Sequence, residues 1–132
     1  FDLRERPKHL IIVGGGPIGM EMAQAHLRLG CKVTVIEGAK AMGKDDPEMA
    51  AIVLDKLRAE GVEIIEEAQA TKISGSKGAK SIVTVHTPKG DFTGSHLLMA
   101  VGRKVNVESL DLDKADVKWG RGGVEVGADL RS

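Results

Sequence analysis

Three glycines and one glutamate form the clearest chemical pattern in this sequence. Gly14, Gly16 and Gly19 have the spacing G-x-G-x-x-G, and Glu37 follows about twenty residues after the second glycine. In such a pattern the first glycine permits a tight turn, the second lets a pyrophosphate approach the backbone, and the third lets a helix pack closely on a strand. The acid is placed to accept hydrogen bonds from a ribose. The residues therefore predict a dinucleotide site.

The elements that would position these residues lie on either side of the glycines. Residues 10–13 (LIIV) are an unbroken aliphatic run, typical of a parallel strand buried on both faces. Pro17 suits the first turn of a helix, and Gly30 suits its end. Residues 32–36 (KVTVI) predict a second strand, which places Glu37 at its carboxyl end. The alternative is a unit of the same fold whose turn binds nothing.

The next segments extend this unit into a larger sheet. Residues 45–48 (DDPE) combine an aspartate N-cap with a proline, which predicts a second helix ending at Gly61. Residues 62–65 predict a third strand. The order βαβαβ favours a Rossmann-like parallel sheet with flanking helices and right-handed crossovers, and a cofactor at the carboxyl ends of the strands. Apolar spacing predicts buried helix faces formed by Ile18, Met22, Ala25 and Leu29 in the first helix and by Met49, Ile52, Val53 and Leu57 in the second.

A three-stranded antiparallel β-meander is predicted where another crossover helix would be expected. Its strands are predicted at residues 70–74, 81–87 and 91–93, with turns at residues 75–78 and 87–90. Residues 96–101 (HLLMAV) then predict a buried strand that returns to the parallel sheet. Residues 123–126 contain a last short strand pattern. The fold class is therefore α/β.

Composition excludes several other functions. Nineteen basic and nineteen acidic side chains give zero net charge, which favours neither nucleic acid nor an acidic membrane surface. The apolar runs are too short to span a membrane, so we expect a soluble, cytoplasmic protein. Cys31 is the only cysteine and is predicted to be buried, and the four histidines lack metal-ligand spacing, so no metal site is expected. The length indicates one domain, residues 1–132, and the abrupt start suggests that it was excised from a longer chain.

Four segments together resemble a known family. GGGPIGME, VTVIE, DDPE before a helix, and LLMAVGR after a meander look like the central NAD(H)-binding domain of the FAD-dependent pyridine nucleotide-disulfide oxidoreductases. The dihydrolipoamide dehydrogenase and mercuric reductase branches look most similar. The resemblance implies an oxidoreductase parent that forms a homodimer. In it, the partners of this domain would be an FAD domain and a dimerisation domain. FAD and the redox-active disulfide would be bound mainly outside this chain, which alone should be inactive.

The resemblance also implies roles for individual residues. The pyrophosphate and nicotinamide side of NADH would be lined by Gly14, Gly15, Gly16, Pro17, Ile18, Gly19 and Glu21. Glu37 would hold the adenosine ribose, Ala70 would touch the adenine, and Gly102 would approach the nicotinamide end. Glu21 would lie where hydride leaves for the flavin, although an acid near a helix start is also favoured by the helix dipole alone.

Three residues depart from the family pattern. Pro17, Ser95 and Val105 stand where many members of the family have tyrosine, aspartate and proline, so the subfamily and the electron acceptor are not fixed. The acid Glu37 favours NAD over NADP, despite the nearby Lys40. Two alternative functions are an FAD-binding Rossmann half, which would use the same glycines and acid, and a stand-alone nucleotide-sensing module without catalysis.

Overall fold

The computed structural model describes residues 3–76 and 82–132. The chain forms two compact units, the first ending at Val101 and the second comprising Gly102–Ser132. The assignment of residues 1–132 to one domain stays a prediction. None of the helices in the described ranges is long and apolar enough to cross a membrane.

The first unit combines a parallel sheet, two helices and an antiparallel meander. Its elements in the described residues are β1 (His9–Val13), α1 (Pro17–Arg28), β2 (Lys32–Ile36), α2 (Pro47–Glu60), β3 (Glu63–Ile65), β4 (Lys72–Ser76), β5 (Ile82–Thr87), β6 (Gly90–Gly94) and β7 (His96–Met99). The parallel sheet has the strand order β3-β2-β1-β7, and the meander has the order β4-β5-β6. The predicted α/β fold, its meander and the returning last strand are confirmed.

The two central strands of the parallel sheet are buried on both faces, as their aliphatic runs predict. Alternate residues of each strand point to opposite sides. On one side, Ile12 and Val35 pack with Met20 of α1 and Leu54 of α2. On the other side, a second cluster forms around Ile11, Ile36 and Val85 of the meander strand β5. The helices and the meander thus cover opposite faces of one sheet and fix where its strand ends lie.

Local signals at the helix ends are confirmed. The Asp46 carboxylate accepts hydrogen bonds from the backbone N–H groups of Glu48 and Met49 at the start of α2. Gly61 ends that helix with φ 111°, and Gly30 follows α1 with φ 85°. A side chain is disfavoured at such angles, so glycine at these two positions follows from the backbone.

The predicted buried face of α1 is wrong. Ile18 and Leu29 are 53% and 67% exposed, and Ala25 is also exposed, while only Met22 is half-buried. The residues that the helix buries are instead Gly19, Met20 and Ala23. A Cβ added to Gly19 would lie 2.0 Å from the Gly14 carbonyl oxygen, so the helix must turn this glycine toward the strand-to-helix turn. Met20 and Ala23 are buried with it, and this close approach outweighs the spacing of the other apolar residues.

The predicted face of α2 is also wrong, except at Leu57. Met49, Ile52 and Val53 are 65%, 66% and 41% exposed. The helix buries Ala50, Leu54 and Leu57. These residues have the spacing i, i+4 and i+7, so the helix carries two adjacent apolar stripes, and periodicity alone does not tell which one meets the sheet.

Strand boundaries in the meander differ from the predictions by a few residues. The first strand begins at Lys72 instead of Ala70 and continues through Ser76, into the predicted turn. The remainder of that turn, from residue 77, and the predicted strand start at Ser81 lie outside the described residues. The last parallel strand ends at Met99, two residues before the predicted end at Val101.

The second unit contains little regular structure. A short 3-10 helix spans Leu112–Ala115, and β8 (Trp119–Gly120) pairs antiparallel with β9 (Gly123–Val124). The predicted strand at residues 123–126 is confirmed only as far as Val124. Its partner around Trp119 was not predicted because two-residue strands leave no periodicity to detect.

Candidate dinucleotide site at the strand ends

The glycine turn lies at the carboxyl end of β1 and is fixed to both neighbouring strands. The Gly14 N–H donates a hydrogen bond of 2.9 Å to the Ile36 carbonyl at the end of β2. On the other side, the Ala100 N–H donates a 2.8 Å bond to the Val13 carbonyl, just after β7. The turn is therefore held at the edge where a parallel sheet binds its ligands.

The three motif glycines have different reasons to lack a side chain. A Cβ added to Gly14, whose φ is 113°, would lie 2.3 Å from the Ala100 carbonyl oxygen. A Cβ added to Gly19 would lie 2.0 Å from the Gly14 carbonyl oxygen. At Gly16, by contrast, an added Cβ would meet no heavy atom within 4 Å. The protein itself requires the first and third glycines, whereas the second faces open space.

Glu37 is fixed beside this turn by backbone donors. One carboxylate oxygen accepts a 2.7 Å hydrogen bond from the Gly15 N–H, and the other accepts a 2.9 Å bond from the Ala39 N–H. The backbone of Glu37 is tied down as well, since its N–H donates to Ile65 and its carbonyl accepts from Ala68. A carboxylate has about four lone-pair sites, so these two bonds leave capacity for ribose hydroxyls.

The start of α1 provides the donors for an anion. Gly16 is the N-cap residue, with extended backbone at φ −77° and ψ −179°, and it has no side chain that could cap the helix. Pro17 follows at the first helical position. The N–H groups of a first turn lack partners within their helix, and together with the helix dipole they attract phosphate. Ile18 lies beside them with its side chain more than half exposed.

Glu21 lies further along α1, on an exposed position. It lines a cleft of about 420 Å³ between the two helices, together with Pro17, Met42 and Ile52. The first turn of α1 contains no acidic residue, so Glu21 lies beyond the region where a helix dipole acts strongly. The dipole is therefore not a sufficient reason for an acid at this position.

Ala70 lies in the same compact unit as the glycine turn, whereas Gly102 belongs to the second unit. The loop before Ala70 is joined to the loop after β2, because Ala68 donates to Glu37 and Glu67 donates to Ala39, both at 2.8 Å. Ala70 is half-buried against the cluster beneath the meander. Gly102 begins the second unit, with φ 132°. The described site therefore comprises residues 14–21, Glu37 and the loop ending at Ala70.

The loop predicted at residues 38–44 shapes the site in a way that was not predicted. The Met42 N–H donates a 2.8 Å hydrogen bond to the Gly15 carbonyl, and Met42 has φ 51°. Its neighbour Ala41 is buried and donates to a Glu66 carboxylate oxygen. These bonds fold residues 38–44 back over the glycine turn. Nothing in the sequence signals them, since methionine is uncommon at positive φ.

The groups at this site can bind and orient a ligand. Backbone donors and one carboxylate form its polar surface. In the described parts of the chain, no group of three His, Cys, Asp or Glu residues could hold a metal ion. Cys31 is 3% exposed, which confirms that it is buried, and it lies at the amino end of β2, whereas the site lies at the carboxyl end. The chemistry that this arrangement supports is nucleotide binding.

Comparison with known proteins agrees with the geometry. A family profile for pyridine nucleotide-disulphide oxidoreductases matches residues 1–132. The chain is 35% identical over 135 residues to a mercuric reductase of Streptomyces lividans, covering 100% of this chain and 28% of that protein. It is 34% identical over 138 residues to a dihydrolipoyl dehydrogenase of Geobacillus stearothermophilus, covering 100% of this chain and 29% of that protein. The chain thus spans less than a third of these relatives.

A solved structure gives the same answer for the fold. The HOCl-induced flavoprotein disulfide reductase RclA from Escherichia coli superposes with a TM-score of 0.84 at 34% sequence identity, covering 96% of this chain and 29% of that one. The profile match over all residues, the identity to two oxidoreductases and the shared fold support one assignment. This chain belongs to the pyridine nucleotide-disulphide oxidoreductase family.

Proposed function

We propose that this chain is the NAD(H)-binding domain of a longer FAD-dependent oxidoreductase, in which it positions NADH for hydride transfer to the flavin. The observation that carries the proposal is the pairing of Glu37 with the glycine turn. Its carboxylate is fixed 2.7 Å from the Gly15 N–H, beside the open space at Gly16. Ribose and pyrophosphate of one dinucleotide need an acid and an open backbone next to each other.

The same carboxylate favours NADH over NADPH. Both adenosine ribose hydroxyls of NADH can donate hydrogen bonds to Glu37, and hydrogen bonds to a charged group contribute about 1.5–3 kcal/mol each. In NADPH a phosphate replaces one hydroxyl, so the carboxylate loses a donor and faces a dianion. Lys40 and Lys44 are exposed, and solvent screens the attraction that they could offer to that phosphate.

The remaining residues have supporting roles in this proposal. Residues 14–19 would cradle the pyrophosphate and Ala70 would lie against the adenine, while the resemblance assigns Gly102 to the nicotinamide end. Glu21 lines the cleft next to the start of α1, on the side where the resemblance expects the nicotinamide. When bound, NADH would supply the hydride, and FAD held by the parent would accept it. Other domains of the parent would determine the final electron acceptor.

Partners and catalytic behaviour follow from the same proposal. The parent is expected to be a soluble, cytoplasmic homodimer in which this domain contacts an FAD domain and a dimerisation domain. The isolated chain should bind NADH and catalyse nothing. The reaction requires a flavin and a dithiol close to the bound NADH, and in this proposal other domains of the parent supply both groups.

The choice of cofactor is the direct test. NADH and NADPH are titrated into the wild type and Glu37→Arg by calorimetry, at low and moderate salt. Wild type should bind NADH at least roughly tenfold more tightly. The variant should narrow or reverse that ratio, because a guanidinium can bind a phosphate bidentately. Glu48→Arg, which makes the same charge change on an exposed position of α2, should leave the ratio unchanged. Equal affinities in the wild type would contradict the proposal.

A second candidate is the FAD-binding half of the same family. It is supported by the shared requirement for three glycines and an acid, and by the flavoprotein named among the similar structures. FAD titrated into the purified chain decides between the two candidates. Tight FAD binding, or a yellow preparation, would favour the flavin half, whereas NADH binding with no flavin binding favours our proposal. The other alternative, a stand-alone nucleotide-sensing module, would also bind NADH, but it would not belong to a longer flavoenzyme.

A further inference from the structure

The outer face of the meander contains a cluster of three polar side chains, one from each strand. Alternation places Ser74 of β4, His86 of β5 and Asp91 of β6 on the face opposite the buried Val85. The strand pairing sets His86 directly opposite Asp91 and Ser74 diagonally across from His86. None of these residues belongs to the glycine turn or the Glu37 site.

In this cluster Ser74 donates a hydrogen bond to His86, and His86 donates one to Asp91. His86 Nδ1 lies 2.9 Å from an Asp91 carboxylate oxygen, and His86 Nε2 lies 2.8 Å from the Ser74 hydroxyl. An ionised carboxylate only accepts hydrogen bonds, so Nδ1 carries the proton of the neutral ring. Nε2 is then the acceptor, and the Ser74 hydroxyl donates to it. This arrangement is the one by which a serine becomes a nucleophile.

The cluster is held in place and reachable. The His86 carbonyl accepts hydrogen bonds from the Thr71 N–H at 2.9 Å and from the Thr71 hydroxyl at 3.0 Å, which fixes the backbone that carries the imidazole. Ser74 is half-buried, and the side chains of His86 and Asp91 are 30% and 59% exposed. Lys72 is paired with His86 in the strand register and contributes an exposed positive charge to the same face.

We propose that Ser74, His86 and Asp91 form a nucleophilic serine site that takes an acyl group from an activated carboxylic ester. The Ser74 oxygen forms a bond to the carbonyl carbon while its proton passes to His86 Nε2. The C–O bond to the leaving alcohol then breaks, and the alcohol departs with that proton. Asp91 holds the ring in the required tautomer.

Acetylation by p-nitrophenyl acetate tests the proposal. The whole chain is exposed to the ester, and the rate of acetylation at each serine is followed by peptide mass spectrometry. Ser74 should react at least roughly tenfold faster than Ser76, two residues along the same strand. His86→Gln should reduce the rate at Ser74 to that at Ser76, and Asp91→Asn should reduce it severalfold. Ser76→Ala should leave the rate at Ser74 unchanged.

The measurement separates a reactive serine from a structural hydrogen-bond network. A network that only stabilises the meander would change the unfolding curve of these variants and leave the acetylation rate of Ser74 equal to that of Ser76. Equal rates in the wild type would overturn the proposal, as would an unchanged rate at Ser74 in a folded His86→Gln chain. If that variant does not fold, Asp91→Asn, at a more exposed position, decides by the same criterion.

Discussion

The two central strands of the parallel sheet are buried on both faces, whereas the meander covers one face of that sheet and leaves its own outer face in water. The parallel strands can therefore offer polar groups only where they end, and the candidate dinucleotide site consists of backbone groups and one carboxylate at those ends. The meander instead places side chains from three strands next to one another, such as Ser74, His86 and Asp91. Burial decides whether a sheet presents backbone at its edge or side chains across its face.

The comparison extends to how each region tolerates change. The glycine turn has no room at Gly14 and Gly19, because neighbouring backbone oxygens lie where a side chain would begin. The outer face of the meander is open, so its side chains can change without moving the backbone. Substitutions in the turn should consequently act on folding or binding, and those on the meander face should act on reactivity.

The largest effect should come from Gly19→Ala. Its methyl group would lie 2.0 Å from the Gly14 carbonyl oxygen, so the helix or the turn must move. We expect the free energy of unfolding to fall by about 3 kcal/mol or more, at the upper end of single substitutions. The free energy of unfolding is measured by urea denaturation, with circular dichroism as the signal. Gly16→Ala is the matched control and should change the value by less than about 1 kcal/mol. Similar losses in both variants would mean that the two glycines do not differ in their packing.

An intermediate effect is expected for Gly16→Ala on ligand binding. The added methyl group points into space that the protein leaves open, and we propose that the pyrophosphate lies there. Affinity for NADH should fall at least roughly tenfold, or about 1.4 kcal/mol. Gly122→Ala, which also meets no heavy atom within 4 Å, should leave the affinity unchanged. A calorimetric titration that shows no loss for Gly16→Ala would remove the turn as the phosphate site.

The smallest effect concerns His9, at the junction of the two regions. Burial, and then the positive charge of Lys32, hold the pKa of the His9 imidazole below 6.5, against the opposing effects of Glu63 and the Thr93 carbonyl. The unfolded chain therefore binds this proton more readily, so its contribution to stability is complete above pH 6.5 and is lost as pH falls from 6.5 through the folded pKa.

Unfolding free energies measured across that interval, in the wild type and His9→Gln, check the expectation. The variant should lose part of the pH dependence below 6.5. The His9 ring lies 2.8 Å from the Thr34 hydroxyl, which donates to Glu63, and these contacts hold the ring in its partly buried position. Parallel curves for the two proteins would show that His9 does not contribute to the acid sensitivity.

Much of the parallel sheet could be predicted from sequence because each of its signals is local. The run at residues 10–13, the glycines and Glu37 lie within one strand-helix-strand unit, and the turn geometry follows from the residue types. The buried helix faces could not be predicted, since α2 carries two apolar stripes and the orientation of α1 is set by the close approach of Gly19 to the turn. Which stripe is buried depends on how closely each helix approaches, and that distance is a tertiary property.

In the meander, the strands could be predicted from sequence but their register could not. Its existence follows from the strand and turn residues, yet its register depends on hairpin geometry, and a shift of one residue would move Ser74 to the other face. The cluster of Ser74, His86 and Asp91 is therefore invisible in the sequence. The bond from Met42 to Gly15 is similarly hidden, because it depends on a loop conformation that methionine does not favour.

The hydrogen bond between the Gly15 amide and Glu37 also makes the turn its own spectroscopic reporter. A 2.7 Å bond to a charged acceptor should shift the Gly15 amide proton strongly downfield in an NMR spectrum. When ribose hydroxyls donate to the same carboxylate, they share its negative charge, the bond to the amide weakens and the resonance moves back upfield. One backbone signal would then follow occupancy at the ribose end in real time, with no label on the nucleotide.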